Sequence, residues 1–364
     1  MYIESIQLKS FRNYDILELT LDQGTNVFYG DNAQGKTNIL ESIYLCGTTK
    51  SHKKSKDGEV INFKSDESHL RMIVEKDSIS YKIDMHLKKN RPKGIAINGL
   101  QIKKASELLG IVNIIFFSPE DLNIIKNGPS ERRRFIDLEL CQLNKLYLLE
   151  LTKYNKIINQ RNKLLRDIKF NEGLKDTLDM WDQQMIEYGS NVIKKRREFI
   201  NELNEIIKEI HNSLTGNREN IEILYEANTT EEEFASVLRA GREKDIRMGM
   251  TMTGPHRDDL AVKVNETDIR KYGSQGQQRT AALSLKLSEL AYVERKIKST
   301  PILLLDDVLS ELDSKRQQYL LNSIKNIQTL ITCTGLSEIK ESHFRIDRMF
   351  YVESGNVGQV DLDK

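Results

Sequence analysis

The sequence of 364 residues contains no run of about 18 apolar residues, which excludes an ordinary membrane-spanning helix. It begins Met-Tyr-Ile-Glu-Ser, without the basic and apolar regions of a secretion signal, so we expect a cytoplasmic protein with no membrane partner. Its three cysteines lie far apart, which excludes a disulfide framework and a cysteine-ligated metal site. The net charge of only +1 means that any nucleic acid must bind to local basic patches.

What the sequence does contain is a glycine-rich phosphate-binding pattern between a strand and a helix. Residues 30–37 match G-x-x-x-x-G-K-T, after an apolar run at 26–29 and before a helix-like segment at 38–43. The glycines let backbone N–H groups face a phosphate, and the helix N-terminus adds its positive dipole end. Lys36 is expected to reach the β- and γ-phosphates, and the Thr37 hydroxyl to bind Mg²⁺. The predicted nucleotide-binding residues of this loop are Gly30, Asp31, Asn32, Ala33, Gln34, Gly35, Lys36 and Thr37.

A second segment supplies the acidic partners that such a loop requires. The sequence P-I-L-L-L-D-D at 301–307 predicts a central parallel strand, buried on both faces, that ends in two carboxylates. Asp306 is placed to hold Mg²⁺ through water, and Asp307 to act as the base that orients the attacking water. Two acids at the end of a strand often have only a structural role. The presence of the P-loop favours the interpretation of these two acids as part of a metal site.

A third motif narrows the class of NTPase. Residues 274–279 read S-Q-G-Q-Q-R and precede an apolar-periodic segment, so Ser274 is predicted to cap a helix and Gly276 to permit close backbone approach. In ABC-type ATPases this S-x-G-Q element, here including Gln277, contacts the γ-phosphate bound by the other subunit. Residues 311–313, E-L-D, are similar to the D-loop that crosses the same interface. We therefore expect an ATP-dependent homodimer in which Ser274 acts in catalysis with Lys36 and Asp307.

The order of strand and helix patterns predicts a split domain. Alternation at 79–87 predicts a half-buried strand, and Asn98-Gly99 predicts a type I′ hairpin turn. From residue 119 the period is helical, with long helices at 138–168 and 181–214 and no sustained heptads. We predict an α/β fold: an ABC-type P-loop ATPase head, with a mixed sheet core and an antiparallel β lobe, formed by 1–118 and 249–364. Residues 119–248 are predicted to be an inserted, compact helical arm.

Several further motifs identify a family resemblance over essentially the whole chain. They are L-K-S-F-R-N-Y at 8–14, P-E-D at 119–121, G-P-S-E-R-R-R-F-I-D at 128–137, Y-N-K at 154–156, Q-R-N at 160–162 and G-P-H-R-D-D at 254–259. Together they resemble the RecF family of bacterial recombination mediators, which are SMC-like ABC ATPases. One departure is Asn127, where a second glycine is usual, and it concerns a turn rather than the chemistry.

The resemblance implies a function and additional site residues. Arg12 and Asn13 would contact the nucleotide phosphates of their own subunit, although a salt-bridged Arg12 is the structural alternative. ATP with Mg²⁺ would close a homodimer on single- or double-stranded DNA at gap junctions, and slow, DNA-stimulated hydrolysis would release it. With RecO and RecR as partners, the protein would support RecA loading during recombinational repair, the SOS response and replication-fork maintenance. Thr334 would sense the γ-phosphate in place of a switch histidine.

Two basic segments are the candidate DNA contacts. One lies at 50–56 after the P-loop helix and the other at 88–93 in a predicted hairpin tip, and neither contains an acidic residue. Contacts of this kind would hold the phosphate backbone without reading sequence. Solvated loops are the structural alternative. The predicted contacts are Lys53, Lys54, Lys56, Lys88, Lys89 and Arg91.

Two other functions are compatible with an ABC-type head. An SMC-like structural DNA-bridging ATPase requires long heptad arms, which the sequence lacks. The nucleotide-binding subunit of a transporter would need a membrane partner and usually a switch histidine, and it would leave the basic hairpin without a role. The three consecutive arginines at 132–134 could contact DNA or brace the arm, and at least one is expected to be structural because they face different sides of a helix.

Overall fold

A computed structural model describes residues 1–335 and 344–361 of the chain. Its strands are β1 (Tyr2–Phe11), β2 (Tyr14–Thr20), β3 (Thr25–Tyr29), β4 (Glu67–Lys76), β5 (Ile79–Lys88), β6 (Gly94–Ile97), β7 (Leu100–Gln101), β8 (Ile114–Phe117), β9 (Ile221–Glu226), β10 (Asp259–Val264), β11 (Thr267–Asp268), β12 (Ile302–Asp306), β13 (Thr329–Cys333), β14 (Arg348–Glu353) and β15 (Asn356–Val360). Its α-helices are α1 (Lys36–Thr48), α2 (Leu122–Lys126), α3 (Pro129–Leu143), α4 (Lys145–Ile168), α5 (Leu178–Thr215), α6 (Phe234–Ala240), α7 (Arg242–Met248), α8 (Ile269–Tyr272), α9 (Gln275–Ile297) and α10 (Ser314–Ser323). Over these residues, none of the helices combines the length and the apolar character needed to cross a bilayer.

The first of two compact units, Met1–Asp121 with Glu289–Lys364, is built around a mixed sheet. Its strand order is β15-β14-β3-β13-β12-β8, with all neighbours parallel except β15. Every residue of β12 is buried between β13 and β8, as its apolar run predicts. Because the carboxyl ends of parallel strands share one edge, this sheet brings the loop after β3 next to the acids that end β12.

A second sheet of the same unit is antiparallel and forms the β lobe. Its order is β2-β1-β4-β5-β6-β7. The turn between β6 and β7 has Asn98 at φ 51° and Gly99 at φ 81°, both in the left-handed region that a type I′ turn requires, so the predicted hairpin is confirmed. The two sheets are joined by Gln328, a buried amide that accepts from the backbone N of Ile3 at 2.6 Å and donates to its carbonyl at 2.8 Å.

The second compact unit, Leu122–Ser288, is mainly helical. The long helices α4 and α5 bury Tyr154, Met185 and Ile193 together with Phe234 of α6. Arg161, fully buried in α4, forms ion pairs of 2.7 Å with Asp182 and with Asp245. A buried charge is tolerated only when it is paired and hydrogen-bonded, as this one is.

The boundaries of the helical arm differ from the prediction. The expected arm ended at 248, whereas the second unit continues to Ser288 and includes β10, β11, α8 and the first half of α9. The reason is strand pairing, because β10 pairs over its whole length with β9 of the arm. The arm therefore contains a three-stranded sheet of order β11-β10-β9 that its helical periodicity did not predict.

Candidate nucleotide-binding site

The glycine-rich loop lies where the sequence predicts it, between β3 and α1. Gly30 has φ 147° and Gly35, at the N-terminus of α1, has φ 117°, so both use backbone conformations that L side chains rarely adopt. A Cβ atom on Gly30 would lie 2.3 Å from the carbonyl oxygen of Val352, and one on Gly35 would lie 2.7 Å from the Tyr14 hydroxyl. The loop is therefore held in shape by contacts that only glycine permits at these two positions.

Lys36 lies inside the curve of the loop. Its Nζ atom donates to the carbonyl oxygens of Gly30 at 2.6 Å and Asp31 at 2.7 Å, and the residue is 7% exposed. Burial lowers the pKa of Lys36, while the nearby carboxylates of Asp307 and Asp306 act in the opposite direction. The cation is thus already desolvated and faces the space that the loop encloses, where an anion would gain strongly from its charge.

The acid at the end of β12 joins two hydroxyl groups. Asp306 Oδ1 accepts from the Thr37 hydroxyl at 2.8 Å and from the Thr332 hydroxyl of β13 at 2.8 Å. Burial raises the pKa of Asp306, although these hydrogen bonds oppose the shift. A desolvated carboxylate beside a threonine hydroxyl is an oxygen donor set that suits Mg²⁺, which is bound by one or two carboxylates plus water and phosphate. Thr37 and Asp306, the two predicted metal residues, are therefore in direct contact.

Asp307 differs from its neighbour in its backbone. Its φ of 53° lies in the left-handed region, which is unusual for a residue other than glycine or asparagine. Its N–H donates to the Thr332 hydroxyl at 3.0 Å, so one threonine orients both acids. Such strain persists only where the surroundings enforce it, and it is frequent at active sites. The sequence signal for this contact is weak, because β13 contains a second threonine, Thr329.

The N-terminal motif and a distant hairpin hold the outside of the loop. Asn13 Nδ2 donates to the Gln34 carbonyl at 3.0 Å, and the buried Tyr14 hydroxyl donates to the Gly35 carbonyl at 3.0 Å. From the other side, the N–H of Ser354 in the β14–β15 turn donates to Gln34 Oε1 at 2.6 Å. Asn13 thus contacts the P-loop itself, and its contact with the nucleotide phosphates stays a prediction. The supporting roles of Tyr14 and Ser354 were not predicted from the sequence.

Arg12 makes an ion pair instead of lying open beside the loop. Its guanidinium contacts both oxygens of Glu41, a fully buried residue of α1, at 2.8 Å each. It also donates to the Ser55 hydroxyl at 2.8 Å and to the Glu59 carbonyl at 2.9 Å. The structure therefore has the salt-bridged alternative. To contact a phosphate, Arg12 would have to give up some of these hydrogen bonds. Such a contact stays a prediction.

The first basic segment is connected to the P-loop helix through the same glutamate. The Ser51 hydroxyl donates to Glu41 at 2.5 Å and accepts from the backbone N of Lys53 at 3.1 Å. Burial alone would raise the pKa of Glu41, but the hydrogen bonds from Arg12 and Ser51 outweigh it and the pKa is lowered. Lys53 is also near enough to the site for its charge to lower the pKa of Asp306. The segment is therefore electrostatically part of the nucleotide site.

The two basic segments meet, but their charge is partly compensated. Lys93 Nζ donates to the Thr49 carbonyl and forms a 2.8 Å ion pair with Asp57, which joins the hairpin tip to the residues on either side of the first segment. Two of the predicted contacts are paired with acids of a neighbouring segment, Lys88 with Glu67 at 2.9 Å and Lys89 with Asp66 at 3.1 Å. The residues Lys53, Lys54, Lys56, Lys89 and Arg91 are exposed. The absence of acids within each segment overstated its net charge, because Glu67, Asp66 and Asp57 outside the segments supply them.

The S-x-G-Q motif belongs to the second unit and begins α9. The Ser274 hydroxyl accepts from the Gln277 N–H at 3.2 Å, and Gln277 Oε1 accepts from the Ser274 N–H at 3.1 Å, which is a reciprocal capping box. Ser274 and Gly276 are both exposed. The predicted N-cap is confirmed, and the helix N-terminus faces solvent.

A buried network behind the motif was not predicted from the sequence. The Gln277 side chain donates to Glu219 at 3.0 Å, and the other oxygen of Glu219 lies 3.4 Å from Nε2 of the buried His211 in α5. His211 Nδ1 in turn lies 2.9 Å from the Ser284 hydroxyl of α9. Glu219 therefore fixes the side chain of Gln277 relative to the arm helix α5. Glu219 and Gln277 are 58 residues apart in the sequence, so no local pattern reveals their contact.

The consecutive arginines are largely structural. Arg132 is 2% exposed and holds both oxygens of Asp259, at 2.6 Å and 3.0 Å. Arg133 donates to the carbonyl of Asp258 at 2.6 Å. Asp258 is itself paired at 3.0 Å with the buried Arg196 of α5. The two characteristic motifs, 128–137 and 254–259, are therefore two halves of one polar network that fixes α3 against β10.

These features define the class of protein. The mixed sheet, the P-loop and the acids at the end of β12 form an ABC-type ATPase head. The sequence model of one protein family, the RecF/RecN/SMC N terminal domain, matches residues 2–356. Two SMC head structures share the fold at 16% identity with TM-scores of 0.60 and 0.58. Within that class, the chain belongs to the RecF family of DNA replication and repair proteins.

The relatives cover the chain from end to end. The RecF protein of Agathobacter rectalis is 61% identical over 99% of this chain and 100% of its own length, and that of Lachnospira eligens is 58% identical over 98% and 99%. A solved structure described as the recombination mediator protein RecF with ATP in the RecFOR pathway matches with a TM-score of 0.93. It is 36% identical and covers 99% of this chain and 98% of that one.

Proposed function

We propose that this protein is an ATP-switched DNA-binding ATPase of recombinational repair. The observation that carries the proposal is that one helix, α1, begins with Lys36 and Thr37 of the nucleotide site and also holds the basic segment at 50–56. Glu41 is the link, because it accepts from Arg12 and Ser51 while it lies on the P-loop helix. A nucleotide site and a candidate phosphate-backbone site are therefore built on the same helix.

The roles at the nucleotide follow from this geometry. Lys36 would leave its two carbonyl acceptors for the β- and γ-phosphates, which are stronger acceptors for a cation. Thr37 and Asp306 would hold Mg²⁺, which neutralises charge that develops on the phosphates during transfer to water. Asp307, oriented through its backbone by Thr332, would position the attacking water. The result is phosphoryl transfer in which positioning and electrostatics supply the catalysis.

The exposed N-terminus of α9 supports a homodimer. A Cβ on Gly276 would have only the Ser274 hydroxyl within 4 Å, at 3.9 Å, so packing within the subunit does not require glycine there. Glycine inside a helix costs roughly 0.5–1 kcal/mol relative to alanine, so another reason is needed. Close approach of a partner's nucleotide supplies that reason, with Ser274 and the helix dipole binding its γ-phosphate. ATP then closes the dimer and hydrolysis opens it.

The biological step is proposed from the relatives. Solved RecF proteins are described as recombination mediators of the RecFOR pathway. We propose that the closed dimer binds gapped DNA and, with RecO and RecR, supports RecA loading. Hydrolysis would be slow and stimulated by DNA, since DNA bound at Lys53 changes the charge next to Asp306. The catalytic cycle thus times release from DNA.

Asp307→Asn tests the switch. We expect the variant to bind Mg·ATP and to sediment as a dimer that stays on gapped DNA, because amide and carboxylate have the same size but only the carboxylate can act as the base. Turnover should fall at least about 100-fold, as for other losses of a single catalytic group. Sedimentation with ATP, ADP or no nucleotide, with and without DNA, measures the state.

The matched control is Asp77→Asn, an exposed acid in the turn between β4 and β5 that has a positive φ like that of Asp307. It is expected to leave ATP turnover within a few-fold of wild type. Normal hydrolysis by Asp307→Asn would show that another group orients the water, and a monomer in all three nucleotide states would contradict the switch.

A charge-neutralising variant tests the DNA contacts. Replacing Lys53, Lys54 and Lys56 with glutamine should weaken ATP-dependent DNA binding and reduce its dependence on salt. Each lost contact with a duplex phosphate lowers the slope of log K against log salt by about 0.9, so three contacts give about 2.7. Fluorescence anisotropy over a salt series measures this slope.

The control removes the same charge elsewhere in the unit, by replacing the exposed Lys64, Lys103 and Lys104 with glutamine. It should leave the slope unchanged. Equal slopes for the two triple variants would exclude the segment at 50–56 as the DNA contact while leaving the ATP switch intact.

A further inference from the structure

Two histidines and a glutamate meet on one face of the β lobe, away from the P-loop chemistry. Glu67 and His69 are two residues apart in β4, so their side chains leave the sheet on the same side. His86 of β5 is the cross-strand partner of His69 in the antiparallel register. The register alone therefore places these three side chains together, in the part of the chain for which neither the motifs nor the nucleotide chemistry assigns a role.

The donor atoms of the three side chains are as close together as those of a ligand set. His86 Nε2 lies 3.1 Å from Glu67 Oε2, and His69 Nε2 lies 3.7 Å from Glu67 Oε1. One donor atom from each residue lies within 4.8 Å of the other two. Tetrahedral ligands at Zn–N and Zn–O distances of about 2.0–2.2 Å are separated by about 3.4 Å, which falls between the two measured distances. The imidazoles stack at 4.0 Å with 16° between their planes, so their in-plane lone pairs run side by side and a ring must rotate before both Nε2 atoms converge on one ion.

We propose that Glu67, His69 and His86 bind a divalent transition-metal ion, with Zn²⁺ as the favoured ion. Two imidazoles and one carboxylate are borderline ligands that suit Zn²⁺ and not Mg²⁺, and they leave a fourth position open to water. The site is independent of the nucleotide-bound Mg²⁺ in both position and chemistry.

Several charged groups surround the three side chains. Hydrogen bonds from Lys88 and His86 hold the pKa of Glu67 at about 2, so it is a carboxylate at neutral pH. Partial burial, together with the charge of His86, lowers the pKa of His69. The charged groups on neighbouring strands are Lys9 of β1, Arg71 of β4, and Lys82, Asp84 and Lys88 of β5.

Lys88 competes for the same carboxylate. Its Nζ lies 2.9 Å from Glu67 Oε2, the oxygen that also contacts His86. An ion bound there would replace the ammonium group, so Lys88 weakens metal binding in the native protein. Removing its charge while keeping its aliphatic chain should therefore strengthen binding, which a merely structural hydrogen-bond network would not do.

The test is a titration of the full chain, freed of nucleotide and metal, with Zn²⁺ by calorimetry and with Co²⁺ by visible absorption. We expect one ion per chain and the intense absorption of tetrahedral Co²⁺. Loss of an outer-shell partner alone typically costs 10–100-fold, so His69→Ala and His86→Ala should each weaken binding at least about 100-fold. Lys88→Met should tighten it.

The control is Asp84→Asn, which removes an acid paired with Arg71 on the same two strands and should leave Zn²⁺ affinity unchanged. All of these positions are partly or fully exposed, and the thermal midpoint of each variant checks that it is folded. Absence of binding to the wild-type chain overturns the proposal. Equal affinity of the wild type and both histidine variants overturns it too, since it would place the ion elsewhere.

Discussion

Lys36→Arg is expected to bind ATP but to lose hydrolysis by about 100-fold or more. In the structure the ammonium group fits between the carbonyls of Gly30 and Asp31, at 2.6 Å and 2.7 Å, in a space that leaves 7% of the residue exposed. A planar guanidinium keeps the charge but does not reproduce the position of a compact point charge. Loss of one group that stabilises developing charge typically costs about 10²–10³ in kcat.

Steady-state phosphate release and equilibrium binding of a fluorescent ATP analogue separate the two effects. Lys50→Arg, an exposed change of the same type at the other end of the P-loop helix, serves as the control and should behave as wild type. Wild-type turnover in Lys36→Arg would contradict the assignment of the loop as the catalytic phosphate site.

Ser274→Arg is expected to abolish ATP-induced dimerisation without affecting ATP binding by the isolated subunit. The residue is exposed, and its polar contacts are with Gln277 of its own helix, so the subunit should fold with the loss of one cap, about 1 kcal/mol. In the closed dimer the same side chain would occupy the space of the partner's γ-phosphate. Hydrolysis and ATP-dependent DNA binding should both fall to background, as measured by sedimentation, phosphate release and anisotropy.

Mixing the two variants makes the test specific. Each site of the dimer combines Lys36 of one subunit with Ser274 of the other. In a mixed dimer, one site therefore has both substitutions, and the other site has the native Lys36 and the native Ser274. Partial recovery of hydrolysis on mixing is therefore expected, up to one composite site per mixed dimer. Ser236→Arg, an exposed serine on α6 of the same unit, is the matched control. A Ser274→Arg protein that remained dimeric and active with ATP would show that α9 is only a capped structural helix.

Elements with strong local patterns could be predicted from the sequence alone. The P-loop, the buried strand β12 and the Asn98-Gly99 hairpin each depend on residues next to each other, and the structure has all three. The long helix expected at 181–214 is α5, Leu178–Thr215, because its apolar period is regular throughout.

The residues that support the site could not be predicted, because their partners are distant in sequence. Thr332 is 26 residues from Asp306, and Ser354 is 320 residues from Gln34. The arm boundary was wrong for the same reason. The strand β10 belongs to the second unit because it pairs with β9, and the sequence of β10 does not reveal that partner. Lys88 also appeared to be an unpaired charge until the register placed Glu67 opposite it.

The pairing of β3 has a consequence for synthesis of the protein. The strand that precedes the P-loop lies between β13 and β14, and the N–H of its first residue, Thr25, donates to Asp347, 322 residues further along the chain. At about 5–20 residues per second, the ribosome needs on the order of 15–60 s to deliver those partners. During that interval the apolar β3 has unpaired edges and is exposed to chaperones and aggregation. A chain that ends before β13 therefore contains the P-loop and both acids but lacks the strands that pair with β3 and the Thr332 hydroxyl that contacts Asp306.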